Sequence, residues 1–118
     1  MSMSSERFSA LTREFPEESK TIERLGEMIG GGRRREMTLD HLILKLDPKS
    51  NINLARILER LVFDGMISRD YRVESPGNHG EIQKFATPEE IPNEVFDWHT
   101  GTILPVTARN LRVVYSLP

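Results

Sequence analysis

Residues 38–84, TLDHLILKLDPKSNINLARILERLVFDGMISRDYRVESPGNHGEIQK, carry a helical hydrophobic period that gives way to strand alternation after Gly65. Thr38 is a candidate N-cap with Asp40 in the first turn, and Leu39, Leu42, Ile43 and Leu46 follow the i, i+3, i+4, i+7 rule of an amphipathic helix. Asp47-Pro48-Lys49 breaks that helix, because proline has no amide to donate and forces its neighbour out of helical geometry. Ser50 or Asn51 caps the next helix, whose Leu54, Ile57, Leu58, Leu61 and Val62 form one apolar face ending at Gly65, a C-terminal glycine. Beyond it, Met66, Ser68, Asp70 and Arg72 alternate with Ile67, Arg69, Tyr71 and Val73, as in a strand. Ser75 to Gly80 is dense in turn formers, and Glu81 to Ala86 supplies a returning strand.

Upstream, Ser4-Ser5-Glu6 offers capping residues for a short helix with Phe8, Leu11 and Phe15 on one face. Pro16 ends it and, with Glu17 and Glu18, opens a second helix carrying Ile22, Leu25, Met28 and Ile29, which Gly30-Gly31-Gly32 closes. Gly26 inside that helix points to a close helix contact or a weak spot. Arg33-Arg34-Arg35 is a short connector leading into a strand-like pair, Glu36-Met37; it reads as a solvated loop or as a phosphate-contacting arm. Downstream, Pro88 and Pro92 allow at most one helical turn. Val95 and Phe96 before a turn, with Ile103, Leu104 and Val106 after it, form a second hairpin, and Leu111, Val113 and Tyr115 mark a closing strand.

The chain of 118 residues suits one modest core, and its ordinary apolar and charged fractions describe a folded protein. The net charge of −2 is unevenly spread. Residues 1–32 hold four bases and six acids, residues 33–72 nine and six, and residues 73–118 three and six, so only the middle is basic. No apolar run approaches the roughly 20 residues of a membrane span, and Met-Ser-Met-Ser-Ser at the start lacks a signal-peptide pattern. The absence of cysteine excludes disulfides and thiolate chemistry, which fits a reducing compartment, and a cytoplasmic location is expected.

With helix, short strand, helix, turn, helix and hairpin in that order, residues 16–86 resemble the winged helix-turn-helix superfamily. The run Ile57-Leu58-Glu59-Arg60-Leu61-Val62-Phe63-Asp64-Gly65-Met66-Ile67 is similar to a third helix entering the wing. The expected fold is α+β: a winged helix-turn-helix at 16–86, an N-terminal helical extension at 1–15, and a β-rich C-terminal extension at 87–118 that packs on the domain or on a partner. The resemblance implies duplex-DNA binding, as a transcriptional regulator acting as a dimer, with the helix at 51–64 in the major groove and the wing at 66–86 on the backbone. Mapped here, the contacts would be Lys49, Ser50, Asn51, Asn53, Arg56 and Arg60 on the helix and Arg69, Arg72, His79 and Lys84 in the wing. Glu59, in the middle of that helix face, would repel phosphate.

No catalytic constellation or cofactor is expected. His41, His79 and His99 are dispersed, and Asp97 with His99 reads as a hydrogen-bonding turn pair ahead of a metal pair. The glycines at 30–32 follow a helix, so they do not form a phosphate loop. Trp98, flanked by Phe96 and Ile103, is either a core residue sealing the tail or an exposed anchor for a protein partner. Phe96, Trp98 and Tyr115, beside a final strand with an open edge, therefore define a second expectation: a non-catalytic interaction module or adaptor subunit that docks a partner, or a second copy, through its tail.

Overall fold

In the computed structural model, which describes residues 3–118 and the side chains from Glu6 onward, Pro16 separates helix α1 (Met3–Glu14) from a 3₁₀ turn (Pro16–Glu18) that runs into helix α2 (Ser19–Gly30). The caps expected at Ser4 and Ser5 lie outside the described side chains. The close contact expected at Gly26 is made with α1, where a Cβ would sit 3.7 Å from the Phe8 ring. Strand β1 (Arg35–Thr38) buries Met37 and delivers Thr38, whose hydroxyl accepts from the His41 amide at 3.1 Å to cap helix α3 (Leu39–Leu46).

Asp47 leaves α3 in the left-handed conformation, and Ser50 then caps helix α4 (Asn51–Phe63), accepting from the Asn53 amide at 3.2 Å. The exit of α4 is a Schellman motif: Gly65, at φ +76, donates to Val62 O, and Met66 donates to Leu61 O. Only a residue free of a Cβ takes that φ without strain. Leu11, Ile22, Leu25, Leu42, Leu46, Leu54, Ile57, Leu58 and Leu61 are buried, so the apolar stripes read from the sequence face one another.

Glu18 is buried with them, 1% exposed. Its Oε1 accepts from the Lys49 amide at 2.8 Å and its Oε2 from the Ser50 amide at 2.9 Å, while Thr21 Oγ1 lies 3.4 Å from Oε1. The turn between α3 and α4 exposes two amides that neither helix can satisfy, and one carboxylate takes both.

The remaining elements are β2 (Ser68–Glu74), β3 (Glu81–Phe85), a 3₁₀ turn (Pro88–Glu90), β4 (Glu94–Asp97), β5 (Thr102–Pro105) and β6 (Leu111–Leu117). Strands β2 and β3 form the expected antiparallel hairpin, with Tyr71 opposite Phe85 and Val73 opposite Gln83 and a register shift after Val73. Strands β4 and β5 form the second hairpin, and the four-stranded sheet runs β1-β6-β2-β3. Thus the final strand, expected to present an open edge, is an interior strand of the sheet, and Tyr115 within it is buried. The edge-docking expectation for Tyr115 is corrected accordingly, because β6 is an interior strand and the Tyr115 side chain is buried.

The chain resolves into two compact units, one of residues up to Ser68 together with Ser116–Pro118, the other Arg69–Tyr115. This division falls inside β2 rather than near residue 86, for a packing reason. Val73 and Phe85 of the first hairpin share a core with Val95 of the second, and Ile91, Leu104 and Val106 of the tail pack around them. The tail and the first hairpin therefore bury one another's apolar faces.

Glu18→Gln removes one of the two acceptors at the α3–α4 turn and strands a buried amide. Urea unfolding should show a loss of about 1–3 kcal/mol, whereas an unchanged midpoint would mean that water satisfies the turn.

Candidate functional site

The β4–β5 hairpin follows strand alternation with apolar residues on both faces. Val95 and Asp97 point inward and are buried, while Phe96 points outward, directly across from Ile103. Phe96 and Ile103 are 59% and 68% exposed, and Trp98, in the turn that follows β4, is 62% exposed. Three large apolar side chains thus share one end of a two-stranded sheet. Exposed tryptophan beside aromatic and aliphatic neighbours is the composition of an interaction anchor. The core role open to Trp98 in the sequence is not the one it takes.

Under this patch the turns of the two hairpins are tied together by polar contacts. Ser75 Oγ donates to Asp97 Oδ2 at 2.7 Å, the His99 amide donates to Asp97 Oδ1 at 2.9 Å, and Gly101, at φ +74, donates to Asp97 O at 2.7 Å. Trp98 stacks on His99 with centroids 3.8 Å apart and planes at 25°. His99 Nε2 lies 3.4 Å from Glu81 O, and Asn78 Nδ2 lies 3.5 Å from His99 Nδ1. A Cβ at Gly80 would come within 2.9 Å of that imidazole, so glycine is required for the ring to lie against the first turn. Burial by itself would raise the Asp97 pKa, but hydrogen bonds from Ser75, the His99 amide and Thr100 outweigh it and hold the carboxyl below the usual aspartate value.

The proximity of Ser75, Asp97 and His99 is not a nucleophilic triad. The serine hydroxyl is buried and donates straight to the carboxylate, and His99 reaches Asp97 through its amide, so no imidazole is placed to take the serine proton. Among the described residues there is no group of three or more His, Asp or Glu arranged to hold a metal ion.

The residues mapped for DNA contact are dispersed in role. Lys49 and Asn51 are exposed, but the Ser50 hydroxyl is spent on capping α4, where it accepts from the Asn53 amide. Arg60 is gripped by Glu14 of α1, its Nη2 donating to both carboxylate oxygens at 2.6 and 2.7 Å. Arg56 is exposed. In the first hairpin, Arg72 Nε donates to Asp70 Oδ1 at 2.8 Å and lies 3.4 Å from Glu81 Oε1. Arg69 lies with its guanidinium carbon 5.4 Å from the Tyr71 ring centre and hydrogen-bonds Tyr115, whose pKa burial pushes up and the arginine partly restores. Arg69 is therefore packed within the sheet instead of reaching outward. His79 sits at φ +57 with Nδ1 3.9 Å from Glu74, and Lys84 is exposed opposite Arg72. Carboxylates thus attend two of the four mapped arginines, Arg60 and Arg72.

The outward face of α4 carries a feature that the DNA mapping missed. Ile52 and Phe63 are 66% and 88% exposed, and together with Phe15 and Ala55 they line an open groove of about 710 Å³ whose rim is charged. The signal was present in the sequence as Ile52 and Phe63 standing off the Leu54 stripe. Neither a protein-family model, nor a curated protein, nor a solved structure matches this chain.

Because the folded-state pKa of Asp97 is depressed, the stabilisation it provides is complete above the unfolded value, near about 3.9, and is lost as pH falls through the folded value. Urea unfolding followed by the fluorescence of Trp98, the single tryptophan, should show stability declining below about pH 4. Asp97→Asn should be less stable at neutral pH and flatter across that acidic range.

Proposed function

We propose that this protein is a non-catalytic interaction module, built on a winged helix-turn-helix core, that docks a partner protein through the exposed face of its β4–β5 hairpin. The observation that carries this reading is the patch of Phe96, Trp98 and Ile103, outward-facing on a hairpin whose turn is pinned by Asp97. Hot spots cluster where rigid aromatic anchors project from a scaffold that does not have to reorganise on binding. The winged-helix part of the reading is supported by the order of elements from α2 to β3 and by the placement of β1 and β2, which bracket the α3–α4 pair, in a single sheet.

The partner's chemistry is constrained by what surrounds the patch. Glu89, Glu90 and Glu94 are exposed on the chain leading into the hairpin, and residues 73–118 hold six acids against three bases. A complementary face has an apolar pocket rimmed by lysine or arginine. Duplex DNA is the less favoured ligand because it rewards unpaired cations. Arg60 and Arg72 spend their charge on Glu14, Asp70 and Glu81, and α4 turns isoleucine and phenylalanine outward where a groove-reading helix uses polar side chains.

The test compares immobilised full-length protein with a Phe96→Ser, Trp98→Ser variant for capture of proteins from the source organism. The expected result is a specific protein retained by the parent chain and lost by the variant, with thermal unfolding of the variant within a few degrees of the parent. In parallel, fluorescence anisotropy of labelled duplex DNA at about 50 mM and 200 mM salt should show no saturable binding. Salt-sensitive DNA binding abolished by Arg56→Ala, Arg60→Ala would replace this reading with a DNA-binding one.

A further inference from the structure

We infer that the outward face of α4 is a self-complementary surface that pairs with α4 of a second copy of this chain in antiparallel orientation. On this face Ile52, Arg56, Glu59 and Phe63 recur at spacings of four, three and four residues, the repeat of a coiled-coil seam. At about 100° per residue the four lie within roughly 60° of arc and span about 16 Å of helix. All four are exposed and all line the same groove, with Ala55 at its flank small enough to allow close approach.

The order of these residues is palindromic in chemistry. A two-fold axis perpendicular to two antiparallel helices brings residue i of one copy beside residue j of the other with i + j constant, and every residue pair occurs twice. Centred between Ile57 and Leu58, that operation sets Ile52 beside Phe63 of the second copy, and Arg56 beside Glu59 of the second copy. The outer layers are then apolar against apolar, and the inner layers are cation against anion. Shifting the register by one helical turn in either direction sets charges against apolar groups, so the seam specifies a single register. Parallel pairing instead stacks Arg56 on Arg56 and Glu59 on Glu59.

Arg60 does not compete for this role, since Glu14 of its own chain holds it to one side of the groove. The floor is extended by Phe15, which follows α1, so each Phe63 side chain enters a wall that already contains an aromatic ring. A seam of only four layers predicts a weak, reversible dimer, held by apolar ends and aligned by its charged centre. The surface is separate in sequence from the Phe96, Trp98 and Ile103 patch, so this inference stands whether or not that patch binds a partner.

The test is sedimentation equilibrium of the full-length chain, across low to high micromolar concentration, with single charge reversals. The parent chain should approach twice its 13.6 kDa mass as concentration rises. Arg56→Glu places four acids at the centre of a homodimer and Glu59→Arg places four bases there, so each variant alone should self-associate at least about tenfold more weakly. An equimolar mixture of the two restores both opposite-charge pairs and should return the dimer, a rescue that a misfolded variant cannot give. Phe63→Ser should weaken association irrespective of charge. A parent chain that stays monomeric throughout overturns the inference. So does a dimer indifferent to Arg56→Glu and Glu59→Arg, or one abolished by Trp98→Ser, which would place self-association on the β4–β5 hairpin.

Discussion

The helical unit depends on one buried carboxylate. The α3–α4 turn contains Pro48 and presents the Lys49 and Ser50 amides to the interior, where an amide without an acceptor costs about 1–3 kcal/mol. Glu18 accepts from both, and it is in place to do so because Pro16 has ended α1 and set the 3₁₀ turn that precedes α2. A proline in one part of the chain thereby positions the acceptor that a second proline, thirty-two residues later, makes necessary. With the turn held, Ser50 caps α4, and the Leu54, Ile57, Leu58 and Leu61 stripe faces the core. What α4 then offers to its surroundings follows from helical geometry alone: Ile52, Arg56, Glu59 and Phe63 must face out.

The second unit is organised around a different solution to a small core. Neither hairpin alone has enough apolar surface to be independently stable in water. Val73 and Phe85 from one and Val95 from the other meet in a shared cluster, and β6 passes between β1 and β2 in the sheet. Interior placement of β6 removes an exposed ladder edge that would otherwise invite indiscriminate pairing. On the β4–β5 hairpin the chain leaves Phe96, Trp98 and Ile103 uncovered. The hydrogen bonds that converge on Asp97 hold the β4–β5 turn, and the His99 ring beneath Trp98 rests on a glycine of the other turn.

Four arginines are paired with carboxylates of the same chain. Glu14 with Arg60, Asp64 with Arg7, Asp70 and Glu81 with Arg72, and Glu74 with Arg112 are surface or half-buried pairs, each contributing about 0–1 kcal/mol to stability. Their larger effect is on recognition. Cations attended by fixed carboxylates are poor phosphate ligands, while the apolar groups between them remain available. The basic middle segment thus carries exposed Ile52 and Phe63 on α4, while the acidic tail carries exposed Phe96, Trp98 and Ile103.

By itself the sequence determined the elements, because capping and period are local. Thr38 and Ser50 cap α3 and α4 as their positions required, Gly65 takes the positive φ that ends α4, Gly30 to Gly32 close α2, and both hairpins bend at their clusters of turn formers. The α+β class followed from those elements. Only the tertiary structure decided which residues meet across long separations. Nothing local to Glu18 announces that its partners are amides 31 and 32 residues away, or that Arg60 will be claimed by Glu14 at a separation of 46. For the same reason the strand holding Tyr115 looked like an open edge until its neighbours in the sheet were known, and Trp98 could be assigned to core or surface with equal local logic. Periodicity tells which side of an element an apolar residue occupies, but whether that side is covered depends on the rest of the chain.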